Sequence, residues 1–207
     1  MILKRGENNL NNSDKIILDL CGGTGAWSAP YKKAGYDVRL ITLPYYDVLK
    51  YNPPGNVYGV LAAPPCTHFS IACSRLWKQK DLNGDTQKAL DIVYACLNII
   101  KITNPVFWAL ENPRGRLQKY IGKPDLVINM SDFGAPYVKP TCLWGNFNIM
   151  LVRGPFTDNP KQLQKCSSSE LYQIPGDYNL NIDHRKLAAQ RSIYPPAFCE
   201  SFFLANQ

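Results

Sequence analysis

The stretch that decides the fold reads Lys15-Ile16-Ile17-Leu18-Asp19-Leu20-Cys21-Gly22-Gly23-Thr24-Gly25. Its apolar first half predicts a buried strand, and its glycines predict a bend into a helix that ends near Gly35. Apolar segments at residues 38–43, 57–62 and 106–110 predict further strands, and residues 82–102 carry apolar positions at helical spacing. Because strands alternate with helices, the sequence predicts an α/β fold with a doubly wound, mostly parallel sheet.

The second half of the chain is less regular. Proline, glycine, asparagine and aromatic residues are mixed after about residue 125, so we expect short strands and long loops there. A last helix is predicted over about residues 196–203. No segment resembles an interdomain linker, and we therefore expect a single domain over residues 1–207, with a loop-rich segment at residues 148–184.

Composition narrows the class of partner. The chain has 23 Lys and Arg against 16 Asp and Glu, and the net charge of +7 suits a polyanion such as a nucleic acid. Seven cysteines without a Cys-x-x-Cys pair, together with only two histidines, argue against a disulfide framework and against a structural zinc site. No apolar run approaches the roughly 20 residues needed to span a bilayer, and the polar start is unlike a secretory signal. We expect a cytoplasmic protein with no metal and no membrane partner.

Three motifs follow three of the predicted strands. Asp19 precedes the glycine loop, Cys66 follows the pair Pro64-Pro65, and Glu111 precedes Asn112-Pro113. Ligands of doubly wound sheets bind beyond the carboxyl ends of the strands, so these groups should meet at one edge. The glycine loop favours a nucleoside-type cofactor, and the prolines project the thiol from a rigid ledge. A carboxyl group beside a thiol suits nucleophilic addition assisted by proton transfer.

Each motif also has a plainer interpretation. The glycine bend could be a tight structural turn, Cys66 a small buried residue, and Glu111 an exposed carboxylate that ends a strand. Arg114 and Arg116 could bind phosphates or belong to a solvated turn. The combination and order of the motifs, rather than any one of them, favour a catalytic interpretation.

These motifs, in this order, resemble the cytosine carbon-5 DNA methyltransferase family, and above all its compact, phage-type members. The first motif of the family is similar to Asp19 through Gly25, and its Pro-Cys-Gln loop is similar to Pro64-Pro65-Cys66-Thr67-His68-Phe69-Ser70-Ile71-Ala72. Glu111-Asn112 resembles the Glu-Asn pair of the family, and Asp47 the acid of its third motif. Two later stretches resemble its eighth and closing motifs: Phe133-Gly134-Ala135-Pro136 and Arg191-Ser192-Ile193-Tyr194-Pro195-Pro196-Ala197.

The resemblance implies a function and a set of site residues. It implies methyl transfer from S-adenosyl-L-methionine to carbon 5 of cytosine in DNA, with Cys66 as nucleophile, Glu111 at ring nitrogen 3 and Lys139 as a positive charge. A base inside a duplex would have to be flipped out to reach these groups. It also implies that the cofactor is bound by Asp19, Leu20, Cys21, Gly22, Gly23, Thr24, Gly25, Trp27, Thr42, Leu43, Asp47, Pro64 and Ser192. Nucleic-acid contacts are expected from Arg75, Lys78, Lys80, Arg114 and Arg116.

The chain departs from the family pattern at three places. Tyr137, Lys139 and Thr141 stand where the eighth motif has Gln-x-Arg-x-Arg, and a lysine does not replace the planar fork of an arginine. No acid ends the second strand, where Thr42 and Leu43 lie. Residues 148–184 are too few for a module that buries ~600–1,000 Å² on DNA. We therefore predict a short or loosely specified target, a separate specificity subunit, or a single-stranded or modified substrate.

Three alternatives remain open on the sequence alone. The same chemistry could act on RNA or on a free pyrimidine nucleotide, or the chain could be an inactive relative that only binds nucleic acid. Amino-group methylation would need a loop of the Asp-Pro-Pro-Tyr type. The stretch Asn52-Pro53-Pro54-Gly55 lacks the aromatic residue and precedes a strand, so it is interpreted as a turn.

Overall fold

A central sheet organises the part of the chain that the computed structural model describes, residues 11–162 and 192–207. Alternating apolar, β-branched segments form its strands. They are β1 (Ile16–Leu20), β2 (Asp37–Ile41), β3 (Val57–Ala62), β4 (Phe107–Pro113), β5 (Leu126–Asn129) and β7 (Pro140–Asn146). A separate parallel pair consists of β6 (Tyr137–Val138) and β8 (Lys161–Gln162).

The order of the strands across the sheet is β2-β1-β3-β4-β7-β5. The pairs β1–β2, β1–β3 and β3–β4 are parallel, whereas β7 is antiparallel to both of its neighbours. The sheet is therefore mostly parallel, with β7 as its one reversed strand. The carboxyl ends of β1, β2, β3 and β4 consequently meet at one edge, where ligands of such sheets bind.

Helices cover both faces of the sheet. They are α1 (Ala29–Lys33), α2 (Trp77–Leu82), α3 (Asp85–Thr103), α4 (Gln118–Ile121) and α5 (Pro196–Ala205). Short 3-10 turns occupy Asn12–Asp14, Ile71–Leu76 and Met130–Phe133. Leu18, Val60 and Leu110 pack on the face that α3 covers, and Ile17, Leu61 and Ala109 pack on the face that α1 and α5 cover. This alternation places successive strand residues in two separate cores.

The α/β class predicted from the sequence is confirmed, as are the strand at residues 57–62 and the last helix. Three boundaries differ. The strand β2 ends at Ile41, so Thr42 and Leu43 lie in the loop that follows it. The strand β4 continues past residue 110 to Pro113, because β7 pairs with it up to that residue. The helix predicted over residues 82–102 begins at Asp85 instead, because Leu82 is the last residue of α2 and Gly84, with a φ of +73°, precedes α3.

The described residues contain neither a membrane-spanning helix nor a cluster of metal-ligating side chains. No described helix has the length and hydropathy to cross a membrane. No cluster of three or more histidine, cysteine, aspartate or glutamate side chains within residues 11–162 and 192–207 could hold a metal ion. The described cysteines are all free thiols.

Candidate active site

Cys66 lies on a loop that leaves the carboxyl end of β3. The loop is fixed to the sheet by a hydrogen bond from the Ala63 backbone N–H to the Leu20 carbonyl, at 2.9 Å. Pro64 is buried, and Cys66 is half-buried. The Cys66 carbonyl accepts hydrogen bonds from the backbone N–H groups of Phe69 and Ser70, both at 2.9 Å, so the chain turns directly after the thiol. The predicted ledge is therefore a short, internally bonded turn at the ligand edge of the sheet.

Glu111 lies inside β4, where it pairs with Leu143 of β7. Its side chain is buried, and its two oxygens have different surroundings. Oε2 accepts a hydrogen bond of 2.8 Å from the hydroxyl of Tyr194. Oε1 has no hydrogen-bond partner among the described residues, although Nζ of Lys139 lies 3.9 Å away. A buried carboxyl group with one oxygen that lacks a hydrogen-bond partner has the capacity to accept or donate one hydrogen bond to a ligand.

Lys139 lies between β6 and β7 and is also buried. Its ammonium group is 5.0 Å from the centre of the Tyr194 ring, within the range of a cation–π contact. Burial raises the pKa of Glu111, whereas the charge of Lys139 and the Tyr194 hydroxyl oppose that rise. Lys139 and Tyr194 therefore partly offset the cost of burying the carboxylate.

The charges of Glu111 and Lys139 also shift the pKa of the Cys66 thiol. Burial raises the pKa of Cys66, the negative charge of Glu111 raises it further, and the positive charge of Lys139 lowers it. A second link joins the two strands, because the Asn112 side chain donates a hydrogen bond of 3.0 Å to the Pro64 carbonyl. Cys66, Glu111 and Lys139 thus form one electrostatically coupled group.

The glycine loop follows β1 and turns through three residues with positive φ, Cys21 at 56°, Gly23 at 57° and Gly25 at 69°. Asp19 lies beneath it, fully buried, and accepts a hydrogen bond of 2.5 Å from the hydroxyl of Ser28. A Cβ on Gly22 would lie 2.1 Å from Oδ1 of Asp19, so only glycine allows the loop to cross the carboxyl group. Burial raises the pKa of Asp19 to about 7.

The exposed side of this loop has room for a ligand. A Cβ on Gly23 would meet no atom within 4 Å, and Cys21 bonds through its N–H to the carbonyl of Ile41 at the end of β2. Thr42 and Leu43 follow that strand, and Asp47 lies half-buried in the same loop. An open glycine turn beside a carboxylate fits a nucleoside-type cofactor such as S-adenosyl-L-methionine.

Several predicted cofactor residues lie beneath this surface instead of facing it. Asp19 and Leu20 are fully buried, and Thr24, Gly25 and Pro64 are buried as well, so they support the loops. Trp27 is a correction. Its ring is 1% exposed and packs against those of Tyr194 and Phe202, with centroids 5.2 Å apart in each case, because it anchors α5 to the sheet. Ser192 is exposed and lies close in sequence to Tyr194.

The predicted nucleic-acid residues fall into two groups. Arg75, Lys78 and Arg114 are exposed near the Cys66 loop, where the Ile71 N–H donates to the Arg114 carbonyl at 3.1 Å. Lys80 is half-buried, and its ammonium group donates to the carbonyl of Thr67. The prediction that Arg116 contacts nucleic acid is wrong, because this residue is buried and its guanidinium donates hydrogen bonds within the protein.

Arg116 joins three segments. Its Nε donates to the His68 carbonyl, and its two terminal nitrogens donate to Asp81 and to the hydroxyl of Thr86, each at 2.8 Å. The guanidinium also lies 4.9 Å from the Trp77 ring centre. Arg116 therefore fixes the loop after Cys66 to α2 and α3.

Sequence reasoning missed two residues of this site. Tyr194 occurs in the stretch similar to the closing motif, but nothing in the sequence connects it with Glu111, which lies 83 positions earlier. Asn112 was noted only as part of a pair, and its bond to Pro64 depends on the parallel pairing of β3 with β4. A signal for Tyr194 exists only in retrospect, as an aromatic residue directly before Pro195-Pro196.

A cavity of about 460 Å³ opens beside the glycine loop, between α1 and β2. It is lined by Gly25, Ser28, Ala29, Lys32, Lys33, Val38 and Leu40. None of these residues is a cysteine or a carboxylic acid, and none belongs to the Cys66 and Glu111 group. The cavity is therefore not assigned to the chemistry.

Comparisons with known proteins give similarities to solved structures but none to a protein-family profile or a curated sequence. A crystal structure from E. coli, described as that of a candidate DNA modification methyltransferase encoded within a prophage, is similar with a TM-score of 0.44 and 19% identity. The match covers 72% of this chain and 53% of the other, so the chain spans about half the length of that protein. A similarity this distant does not define an activity, and the chemistry of the site rests on its own residues.

Proposed function

We propose that this chain is a DNA (cytosine-5-)-methyltransferase that uses S-adenosyl-L-methionine and forms a covalent adduct through Cys66. The observation that carries the proposal is the group formed by Cys66, Glu111 and Lys139 at the carboxyl edge of the sheet, in which a buried carboxyl oxygen has no hydrogen-bond partner among the described residues. Carbon 5 of cytosine is a poor nucleophile at neutral pH. Addition of a thiolate to carbon 6 is one way to activate it.

In the proposed reaction, Cys66 would act as the nucleophile and Glu111 as the hydrogen-bond or proton donor. The Cys66 thiolate forms a bond to carbon 6, and the electron pair of the 5,6 double bond moves into the ring toward nitrogen 3. Oε1 of Glu111 faces that nitrogen and donates a proton or a hydrogen bond to it, which stabilises the adduct. Carbon 5 would then form a bond to the methyl group as the bond from that methyl to the cofactor sulfur breaks, which leaves S-adenosylhomocysteine, and Glu111 would take back the proton from nitrogen 3. A water molecule would remove the proton from carbon 5, whose electron pair re-forms the 5,6 double bond as the Cys66–carbon 6 bond breaks and the thiolate is released.

The cofactor would occupy the exposed side of the glycine loop. Gly22, Gly23, Thr42, Leu43 and Asp47 border that surface, and Asp19 supports it from beneath. S-adenosyl-L-methionine, when bound, supplies an electrophilic methyl group. Binding of S-adenosylhomocysteine, measured by calorimetry, should weaken in Asp47→Ala and stay unchanged in Asp14→Ala, whose carboxylate is exposed at the far end of β1.

DNA is the proposed partner, through the exposed cations beside the Cys66 loop. Arg75 and Lys78 would contact phosphates, and the net charge of +7 supports such a partner. The double variant Arg75→Ala/Lys78→Ala should bind DNA more weakly and with a smaller salt dependence. The matched control is Lys32→Ala/Lys33→Ala, which removes the same charge from α1.

The deciding experiment measures methyl incorporation from labelled cofactor into duplex DNA, single-stranded DNA, RNA and dCMP. Label in DNA supports the proposal, and label in RNA or dCMP alone would assign the same chemistry to another substrate. DNA that contains 5-fluorocytosine should trap a covalent adduct with the wild type and with Cys73→Ala, but not with Cys66→Ala. If no substrate gives an adduct, the chain is a binding protein instead of an enzyme.

The extent of the target is a separate question. The segment predicted to read DNA is short, and only residues 148–162 of it belong to the described part of the chain. Sequencing of cytosine modifications in DNA from cells that express the protein would give the target directly. Methylation in a context of very few base pairs is expected, and a long defined site would contradict that expectation.

A further inference from the structure

Tyr194 contacts both the Glu111 carboxyl group and Trp27, the residue that packs behind the glycine loop. It lies just before α5, its hydroxyl donates to Oε2 of Glu111 at 2.8 Å, and its ring packs 5.2 Å from that of Trp27, which follows the glycine loop. The Lys139 ammonium lies on the same ring. Tyr194 is buried, so this arrangement has little freedom to rearrange.

The hydrogen bond distinguishes the two oxygens of the carboxyl group. In a neutral carboxyl group, the carbonyl oxygen is the acceptor and the other oxygen carries the proton. Since Tyr194 donates to Oε2, it favours Oε2 as the carbonyl oxygen and leaves the proton on Oε1. That oxygen is the one that is buried without a hydrogen-bond partner in the described structure, and so the one with hydrogen-bonding capacity left for a ligand.

We propose that Tyr194 is a positioning residue of this site, which holds Oε2 of Glu111 and thereby directs Oε1, the oxygen that carries the proton when the carboxyl group is neutral, toward the substrate. Its part in methyl transfer rests on the proposed function; the hydrogen-bonded geometry does not. Tyr194 touches the carboxyl group and not the reacting ring.

The pKa of Glu111 depends on the charged and titratable groups that surround its side chain. They come from four places: Lys139 before β7, Cys142 on β7, Cys66 after β3, and Tyr194 before α5. The Tyr194 hydroxyl stabilises the ionised carboxylate, and its removal should raise the pKa of Glu111 further. Loss of the ring alone should not have that effect.

Carboxyl titration by carbon-13 NMR tests this without any substrate. The glutamates of the chain are Glu7, Glu111, Glu170 and Glu200, so labelling of glutamate side chains gives few signals, and Glu111→Gln assigns the relevant one. In Tyr194→Phe, which keeps the ring, the Glu111 signal should titrate at higher pH than in the wild type. Tyr194→Leu should give the same direction, and Tyr94→Phe, at an exposed tyrosine of α3, should give no change.

Activity supplies the second measurement. Tyr194→Phe should lower kcat about ten-fold, because the carboxyl group loses one orienting hydrogen bond, and should leave KM for DNA nearly unchanged. The alkaline limb of the pH–rate profile should move to higher pH with the titration. An unchanged Glu111 titration in folded Tyr194→Phe would overturn the inference. A shifted titration in a protein that transfers no methyl group would instead overturn the proposed function alone.

Discussion

The guanidinium of Arg116 donates a hydrogen bond of 2.8 Å to the carbonyl of His68, on the loop that carries Cys66. The backbone N–H of Arg116 donates to the next carbonyl, that of Phe69, at the same distance. Arg116 thus donates hydrogen bonds to two consecutive carbonyls of the loop that follows Cys66. Arg116 itself lies shortly after β4, the strand that carries Glu111. The two chemical groups of the site are therefore joined by a rigid connection and not only by the sheet.

Loss of the hydrogen bonds of Arg116 should lower the stability of the protein. Arg116→Ala should lower the free energy of unfolding by roughly 2–3 kcal/mol, because the His68 carbonyl and the buried Thr86 hydroxyl lose a charged donor. Urea denaturation measures this, and Arg116→Lys should recover part of it. Arg114→Ala, at the exposed neighbour, should stay within about 0.5 kcal/mol of the wild type. Equal losses in the two alanine variants would show that the Arg116 contacts do not hold the loop.

Gly115 sets the distance between the same two segments. A Cβ there would lie 2.0 Å from the Phe69 carbonyl oxygen and 3.0 Å from the Ile71 backbone nitrogen, and backbone atoms cannot swing aside. Gly115→Ala should therefore destabilise the protein by about 1–3 kcal/mol and change the alkylation rate of Cys66. Gly55→Ala is the matched control, because a Cβ at Gly55 meets no atom within 4 Å. It should be neutral or stabilise by about 0.4–1 kcal/mol.

These contacts show where sequence reasoning reaches its limit. The strands β1 and β3, and with them the positions of Asp19 and Cys66, follow from apolar runs that end in glycine or proline, which are local signals. The reversed strand β7 could not be placed, since Pro140 and Gly145 obscure its alternation and its partner β4 is distant in sequence. For the same reason Arg116 was expected in a nucleic-acid surface. Only the packing of α2 and α3 shows that its charge is used internally.

Asp19 predicts a pH dependence of stability whose sign is unusual for a carboxyl group. Burial raises its pKa from 3.8 to about 7, so the folded state binds the proton more tightly than the unfolded state between these values. Stability from this group is therefore lost as pH rises from about 4 to about 7, and stays constant above that. Asp19→Asn should gain stability over the wild type across this window, by about 3–4 kcal/mol at most.

Thermal unfolding at a series of pH values measures the Asp19 effect. The advantage of Asp19→Asn should be small near pH 4 and should level off near pH 8. Asp14→Asn, on an exposed carboxylate, controls for the loss of one negative charge. An advantage that is the same at pH 4 and pH 8 would mean that Asp19 is ionised throughout, and that the Ser28 bond compensates for burial.

Substitution of Glu111 and substitution of Lys139 should shift the pH midpoint of Cys66 alkylation in opposite directions. The negative charge of Glu111 raises the pKa of Cys66 and the positive charge of Lys139 lowers it. The pH midpoint of Cys66 alkylation should consequently fall in Glu111→Gln and rise in Lys139→Met, although both should lose methyl transfer by about 10²-fold or more. Iodoacetamide labelling followed by fragmentation of the labelled peptide in tandem mass spectrometry resolves Cys66 from Cys73. If both variants moved the Cys66 midpoint in the same direction, burial changes would outweigh charge, and Lys139 would not act on the nucleophile as an electrostatic partner.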